Sequence, residues 1–150
     1  MLIHELTTAD CEAFLSRTNL GRLACTRHDQ PYIVPVSFSF DPYTHSLYSF
    51  STLGQKIQWM RLNPRVCVEV DEITDKFHWT TVLVLGRYEE LADSVSNRAA
   101  RQRALELFEQ RDTWWLPGGG KLAGPVEHDN AVLYRIHADK VSGRRSTRAP

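Results

Sequence analysis

The chain has 150 residues, 42% of them apolar and 24% charged, and its 18 lysines and arginines balance its 18 aspartates and glutamates. That length fits one domain, residues 1–150, large enough to bury a core without covalent staples. Zero formal charge argues against a nucleic-acid partner, which needs a basic footprint, and no apolar run approaches the roughly 20 residues that span a bilayer. The three cysteines, Cys11, Cys25 and Cys67, are odd in number and have no CxxC spacing. They point away from a disulfide framework or a zinc site and toward a reducing compartment. With no signal pattern at the N-terminus, the expectation is a cytoplasmic protein.

In chain order, "LTTADCEAF" opens a first helix, with Thr7 or Thr8 as cap and Asp10 in the first turn, where negative charge suits the helix dipole. "GRLACT" reads as a short strand and "RHDQP" as a turn. "PYIVPVSFSFD" alternates, with Val34, Val36, Phe38 and Phe40 on one face and Ile33, Pro35, Ser37 and Ser39 on the other. Pro35 has no N–H, so it implies a bulge or an edge strand. "DPYTHS" joins this segment to "SLYSF" as a hairpin, and "QKIQWMRLN" is a short helix stopped before Pro64. "RVCVEVD" turns Val66, Val68 and Val70 inward. "HWTTVLVLGRYEEL" is the longest strand expected, with a bend or bulge at Gly86. A third helix follows over "DSVSNRAARQRALELFEQR", with Asp93 as cap and Leu105 and Phe108 on one side; then come an irregular glycine-rich connection, a last strand "AVLYRIHADKV", and a tail that frays or docks from about Ser142. Six or seven strands joined by hairpins predict a mainly β fold, an antiparallel sheet closed into a small barrel with peripheral helices.

Few residues carry recognisable chemistry. The six histidines show neither i, i+4 spacing on a helix nor a flanking carboxylate at ligand spacing, so no metal site is expected. There is no GxSxG and no cysteine with an activating neighbour. The stretch "FSTLGQKI", residues 50–57, is different: Ser51 and Thr52 bring hydroxyls, Gly54 allows close backbone approach, and Lys56 brings a positive charge at the start of a helix with free N–H groups. Taken alone, it is either a surface turn opening a helix or a cradle for phosphate; Walker A spacing is absent.

Across "GRLACTRHDQPYIVPVSFSFD", "SLYSFSTLGQKIQWMRLNPRVCVEVD" and "WTTVLVLGRYEEL", and again through "WWLPGGGKLAG" and "LYRIHADKVSGRRS", the chain resembles the pyridoxamine 5′-phosphate oxidase-like flavoproteins, and in particular their nitroimidazole-resistance-type branch. The resemblance implies a split antiparallel β-barrel of the FMN-binding type, homodimeric, with the cofactor at the interface and a small-molecule substrate. It also implies roles by position. Val34, Pro35, Val36 and Ser37 would lie along the flavin ring, with Phe50 packing near it. Ser51, Thr52, Gln55 and Lys56 would hold the ribityl phosphate, with Thr81 adding a hydroxyl. Trp115 and Arg144 would close over the ring from the partner. The strand "YIVPVSF" lacks the basic residues of the true oxidases, and Phe50 stands where many relatives carry histidine, so neither activity is implied. No catalytic residue is assigned. The expectation is an FMN-dependent oxidoreductase; a non-catalytic flavin or haem binding or storage protein, and a deazaflavin-dependent reductase, are the alternatives.

Overall fold

The computed structural model describes residues 1–110 and 131–150. Eight strands run in the order β1 (Leu2–Glu5), β2 (Leu20–Arg27), β3 (Gln30–Ser37), β4 (Ser39–Asp41), β5 (Ser46–Thr52), β6 (Arg65–Asp75), β7 (His78–Glu90) and β8 (Ala131–Thr147). Helix α1 (Thr8–Arg17) separates β1 from β2, α2 (Gln55–Leu62) separates β5 from β6, and α3 (Arg98–Glu109) follows β7 after one 3-10 turn. All pairings are antiparallel, in the order β3-β2-β6-β7-β8-β5-β4, with β1 added along β8.

The barrel closes through the β3–β4 segment. Residues 30–37 pair with β2 and residues 39–41 pair with β5; Phe38, between them, still donates its N–H to the Asn19 carbonyl at 3.0 Å. One nearly continuous stretch therefore serves both ends of the sheet. Ser49 Oγ donates to the Ser37 carbonyl at 2.6 Å and ties β5 to the end of β3. Leu23, Val66, Val68, Val70, Val82, Val84 and Ile136 fill the interior with Phe38 and Phe40. This is the alternation expected for Val66, Val68 and Val70, and Pro35 lies on the edge strand as anticipated.

Gly86 sits at a register shift between β7 and β8. A Cβ there would run into the His137 carbonyl and lie 2.9 Å from Ile136 Cγ2, so only glycine lets β8 cross so closely. The β2–β3 turn has positive φ at His28 (48°) and Asp29 (60°), the conformation of a two-residue hairpin turn that matches strand twist. Thr7 caps α1 in a reciprocal box with Asp10.

Of the two outcomes expected for the tail from about Ser142, it docks: β8 continues to Thr147, held by β7 on one side and β1 on the other. Asp93 does not cap α3, because the turn at Val95–Asn97 intervenes. Leu105, three residues before Phe108, lies at the exposed margin of their shared side. Ala104, Leu107 and Phe108, spaced three and four apart, face a second small core with Tyr48, Leu91 and Leu133, while Leu105 is 47% exposed.

Helix α3 is pinned electrostatically. Asp41 has no solvent exposure and accepts from Arg103 Nη2 at 3.1 Å, Thr44 Oγ1 at 2.8 Å and the Tyr43 N–H at 3.2 Å. Burial pushes the Asp41 carboxyl up, but the hydrogen bond from Arg103 and those from Thr44 and Tyr43 outweigh it, and the group stays below its ordinary value.

Candidate functional site

The site is built where β5 gives way to α2. Strand β5 alternates, so Leu47, Ser49 and Ser51 point into the barrel while Tyr48 and Phe50 point away from it. Gly54, extended at φ −155°, starts α2 without any side-chain cap, so the first N–H groups of the helix have no capping side chain as partner. The helix is fixed from behind. Ile57 and Met60 are buried, Trp59 packs on Tyr32 with ring centroids 5.4 Å apart, and Arg61 grips Glu90 with two hydrogen bonds of 2.7 and 2.8 Å.

Lys56 is thereby drawn inward. Its Nζ donates to Ser51 Oγ at 2.6 Å, and Ser51 passes its own hydrogen to the Thr52 carbonyl at 2.7 Å. Among the described residues no carboxylate lies within ion-pairing distance of Lys56. Burial pushes the ammonium below the ordinary lysine value, with Cys25 nearby acting weakly the other way. A half-buried cation with one neutral hydroxyl partner is a costly arrangement in the free protein. An anion beside it, also facing the uncapped start of α2, would relieve that cost. Thr52 and Gln55 are exposed at the mouth of the same turn.

The margin of β3 adds a second set of polar groups. Because Phe38 bonds directly to Asn19, the register places Gln30, Tyr32, Val34 and Val36 in the hydrogen-bonded pairs with β2. Pro31, Ile33, Pro35 and Ser37 then aim their backbone groups outward from the sheet. Both prolines fall where a missing donor leaves the ladder intact, as expected for an edge. Ser37 has its carbonyl engaged by Ser49, so the free groups facing out are the Ser37 N–H, the Pro35 carbonyl and both groups of Ile33. A neighbouring acceptor and donor on one strand edge suit the donor–acceptor edge of a flavin ring. The side chains of Val34 and Val36 turn toward the core.

The structure therefore brings Ser37, Ser51, Thr52, Gln55 and Lys56 to one margin of the barrel. Val34, Pro35 and Val36 adjoin Ser37 on β3, whereas Phe50, Thr81 and Arg144 lie elsewhere in the single chain, Arg144 being expected from the partner copy. Phe50 lies on the opposite face of β5 from Ser51 and packs on Phe108 of α3, with centroids 4.9 Å apart. Thr81 and Arg144 are cross-strand partners of each other, whereas the strand neighbour of Thr52 on β8 is Ala131, on the order of 40 Å of extended chain away from Arg144. The Thr81 hydroxyl donates to Glu69 Oε1 at 2.9 Å. Trp115 lies outside the described residues. Sequence reasoning missed Ser49, Cys25 and Tyr134, which line the interior beside Ser51 and Lys56; burial pushes the Tyr134 hydroxyl up to about 12, with Ser49 partly opposing. The available signal was the period-2 pattern of "SLYSFS", which puts both serines inside with the leucine.

Tested against a flavin phosphate, this donor set fits: a cation lacking a carboxylate, two hydroxyls, and an uncapped helix start. No helix among the described residues is long and apolar enough to cross a membrane.

The pyridoxamine 5′-phosphate oxidase family model matches residues 7–145. An uncharacterised protein of Rhizobium meliloti (strain 1021) is 37% identical over 152 residues, 96% of this chain and 95% of its own length. A crystal structure of an FAD-binding protein from Mesorhizobium loti has a TM-score of 0.80 and 39% identity, covering 98% of this chain and all (100%) of that one. A candidate 5-nitroimidazole antibiotic resistance protein from Bacteroides thetaiotaomicron shares the fold at a TM-score of 0.65 and 16% identity, covering 97% and 89%. The sheet and its edge, the turn from Ser51 to Lys56 and the family match across most of the chain converge: this protein belongs to the pyridoxamine 5′-phosphate oxidase family and has its split-barrel fold.

Proposed function

We propose that this protein binds a flavin by its 5′-phosphate, the group common to FMN and FAD, and uses it in oxidation or reduction of a small molecule. The observation that carries the reading is the half-buried Lys56, held by Ser51 at 2.6 Å with no carboxylate near it among the described residues. Ser51, Thr52, Gln55 and the start of α2 would share the phosphate. The outward backbone groups of Pro35 and Ser37 would meet the polar edge of the ring. The flavin would supply hydride and electron transfer, and the protein would supply orientation and a partly dry setting. The Mesorhizobium loti relative described as FAD-binding favours FAD alongside FMN.

The flavin would sit between two copies. Outward side chains form an apolar row across four strands, Ile33, Ala24, Cys67 and Leu85, each the register partner of the next. Ile33 is 64% and Leu85 42% exposed in the single chain. The adjoining row, Pro35, Arg22, Glu69 and Leu83, places opposite charges side by side, which a two-fold related copy could meet with its own. The same pairing would carry Thr81 and Arg144 of one copy toward the Ser51–Lys56 turn of the other.

An absorbance titration tests the reading. Added FMN or FAD should shift the flavin bands and saturate at micromolar concentration or below; no saturable change with either flavin would rule the reading out. Turnover with NADH or NADPH and a nitroaromatic acceptor separates an oxidoreductase from a flavin carrier.

A further inference from the structure

On the outer face of the barrel, away from the Ser51–Lys56 turn, β1, β6, β7 and β8 border a half-open cavity of about 540 Å³. That is within the range of small-ligand sites. Its polar side chains are Glu5, Glu69, Thr81, Ser142 and Arg144; Leu6 and Leu83 are among its apolar walls. Glycine at 143 lets β8 form its floor: a Cβ there would come within 2.9 Å of Cys11 Sγ and of the Thr81 carbonyl.

We propose that this cavity is an adenylate subsite, one that takes the AMP half of a dinucleotide; the proposal rests on the flavin reading above. The chemistry of the lining selects the ligand. Thr81 gives its hydrogen to Glu69 at 2.9 Å, so its oxygen faces a ligand as an acceptor. Glu69 keeps a second oxygen, and Glu5 brings another carboxylate opposite Arg144 in the register. Two carboxylates against one guanidinium do not hold a phosphate by charge alone. They suit a ribose, whose hydroxyls donate to carboxylates, next to a single bridging phosphate paired with Arg144. Leu6 and Leu83 offer apolar surface to a purine ring. In one chain, a phosphate at Lys56 lies too far along β8 to belong to the same molecule, so the cavity would serve a cofactor seated on the neighbouring copy.

Two dinucleotides carry this group, FAD and NADH, and binding assays distinguish them. If the adenylate is that of FAD, the protein should bind FAD at least about tenfold more tightly than FMN, and Arg144→Ala and Glu69→Ala should reduce that ratio toward one. AMP alone at millimolar concentration should displace FAD from the unmodified protein and leave FMN in place, which needs no variant to fold. If the adenylate is that of NADH, FAD and FMN bind alike, and AMP competes with NADH on the FMN-loaded protein. The proposal is overturned if AMP, measured by equilibrium dialysis and by competition, competes with neither dinucleotide. Absence of any flavin binding would defeat the flavin reading instead, and AMP dialysis would then still report on the cavity by itself.

Discussion

Replacing Lys56 by methionine separates a residue kept for a ligand from one kept for the fold. Methionine preserves most of the buried stem and removes the ammonium, whose desolvation the free protein bears with one neutral hydrogen bond of 2.6 Å in return. The free protein should therefore lose no stability, and thermal unfolding without flavin should occur at the same or a higher temperature. Binding should respond in the opposite sense. A charge-assisted hydrogen bond to phosphate contributes about 1.5–3 kcal/mol, so FMN affinity should fall by roughly 10- to 100-fold. Riboflavin, which lacks the phosphate, should bind the variant as it binds the parent. Isothermal titration with both ligands, paired with thermal scans of the free protein, measures all three quantities. If Lys56→Met unfolds at a clearly lower temperature while FMN affinity is unchanged, Lys56 is a structural residue and the phosphate assignment is wrong.

Arg103→Gln leaves Asp41 buried without its counter-charge and should cost about 2–4 kcal/mol, read as a lower midpoint in urea at unchanged slope. That cost should shrink as pH falls. The Asp41 carboxyl is depressed in the native protein, so its contribution is complete above the unfolded carboxylate value near 4 and is lost as pH drops through the folded value; the variant has no such pair to lose. A constant difference between the two proteins down to pH 2 would contradict this. Gly86→Ala should destabilise by about 1–3 kcal/mol, because the obstructing atom is the His137 backbone carbonyl, which cannot swing aside as a side chain could; a midpoint equal to the parent's would show that β8 shifts without cost. If two copies pair as proposed, Leu85→Lys, in the exposed apolar row, should halve the mass read by light scattering, and an unchanged mass would contradict pairing through that row.

The elements around the site were legible because their signals are local. The alternation in β6, the stop before Pro64 and the hydroxyl–glycine–lysine turn each lie within a dozen residues, and each appears where the pattern placed it. What escaped depends on distant partners. The segment "LIHE" has no alternation, and all four of its residues are exposed; it becomes β1 only because Leu2 meets Thr147 and Glu5 meets Arg144. The same contact holds residues 142–147 in strand and decides between a fraying and a docked tail. Phe50 could be assigned to the face opposite Ser51 from the period of two, but its cover, Phe108 of α3, could not, since nothing in sequence docks that helix on β5 rather than elsewhere. Thr81 was grouped with the phosphate residues, and Arg144 with the partner's cover of the ring, by resemblance alone; in one chain the register keeps both away from the Ser51–Lys56 turn.

Strand β8 has a consequence for how the protein comes into being. It is the 17-residue spine against which β1, β5 and β7 all pair, yet it follows all three in the chain. Synthesis proceeds from the N-terminus, at about 5–20 residues per second. Until β8 is translated, β5 and β7 each have an unpaired edge, and the first four-residue strand has nothing to join. A ribosome stalled before β8 would hold an open sheet with its apolar interior uncovered. The barrel therefore closes only once β8 has emerged, in one late step. Truncation before Ala131 should yield a substrate for proteolysis rather than a shortened barrel.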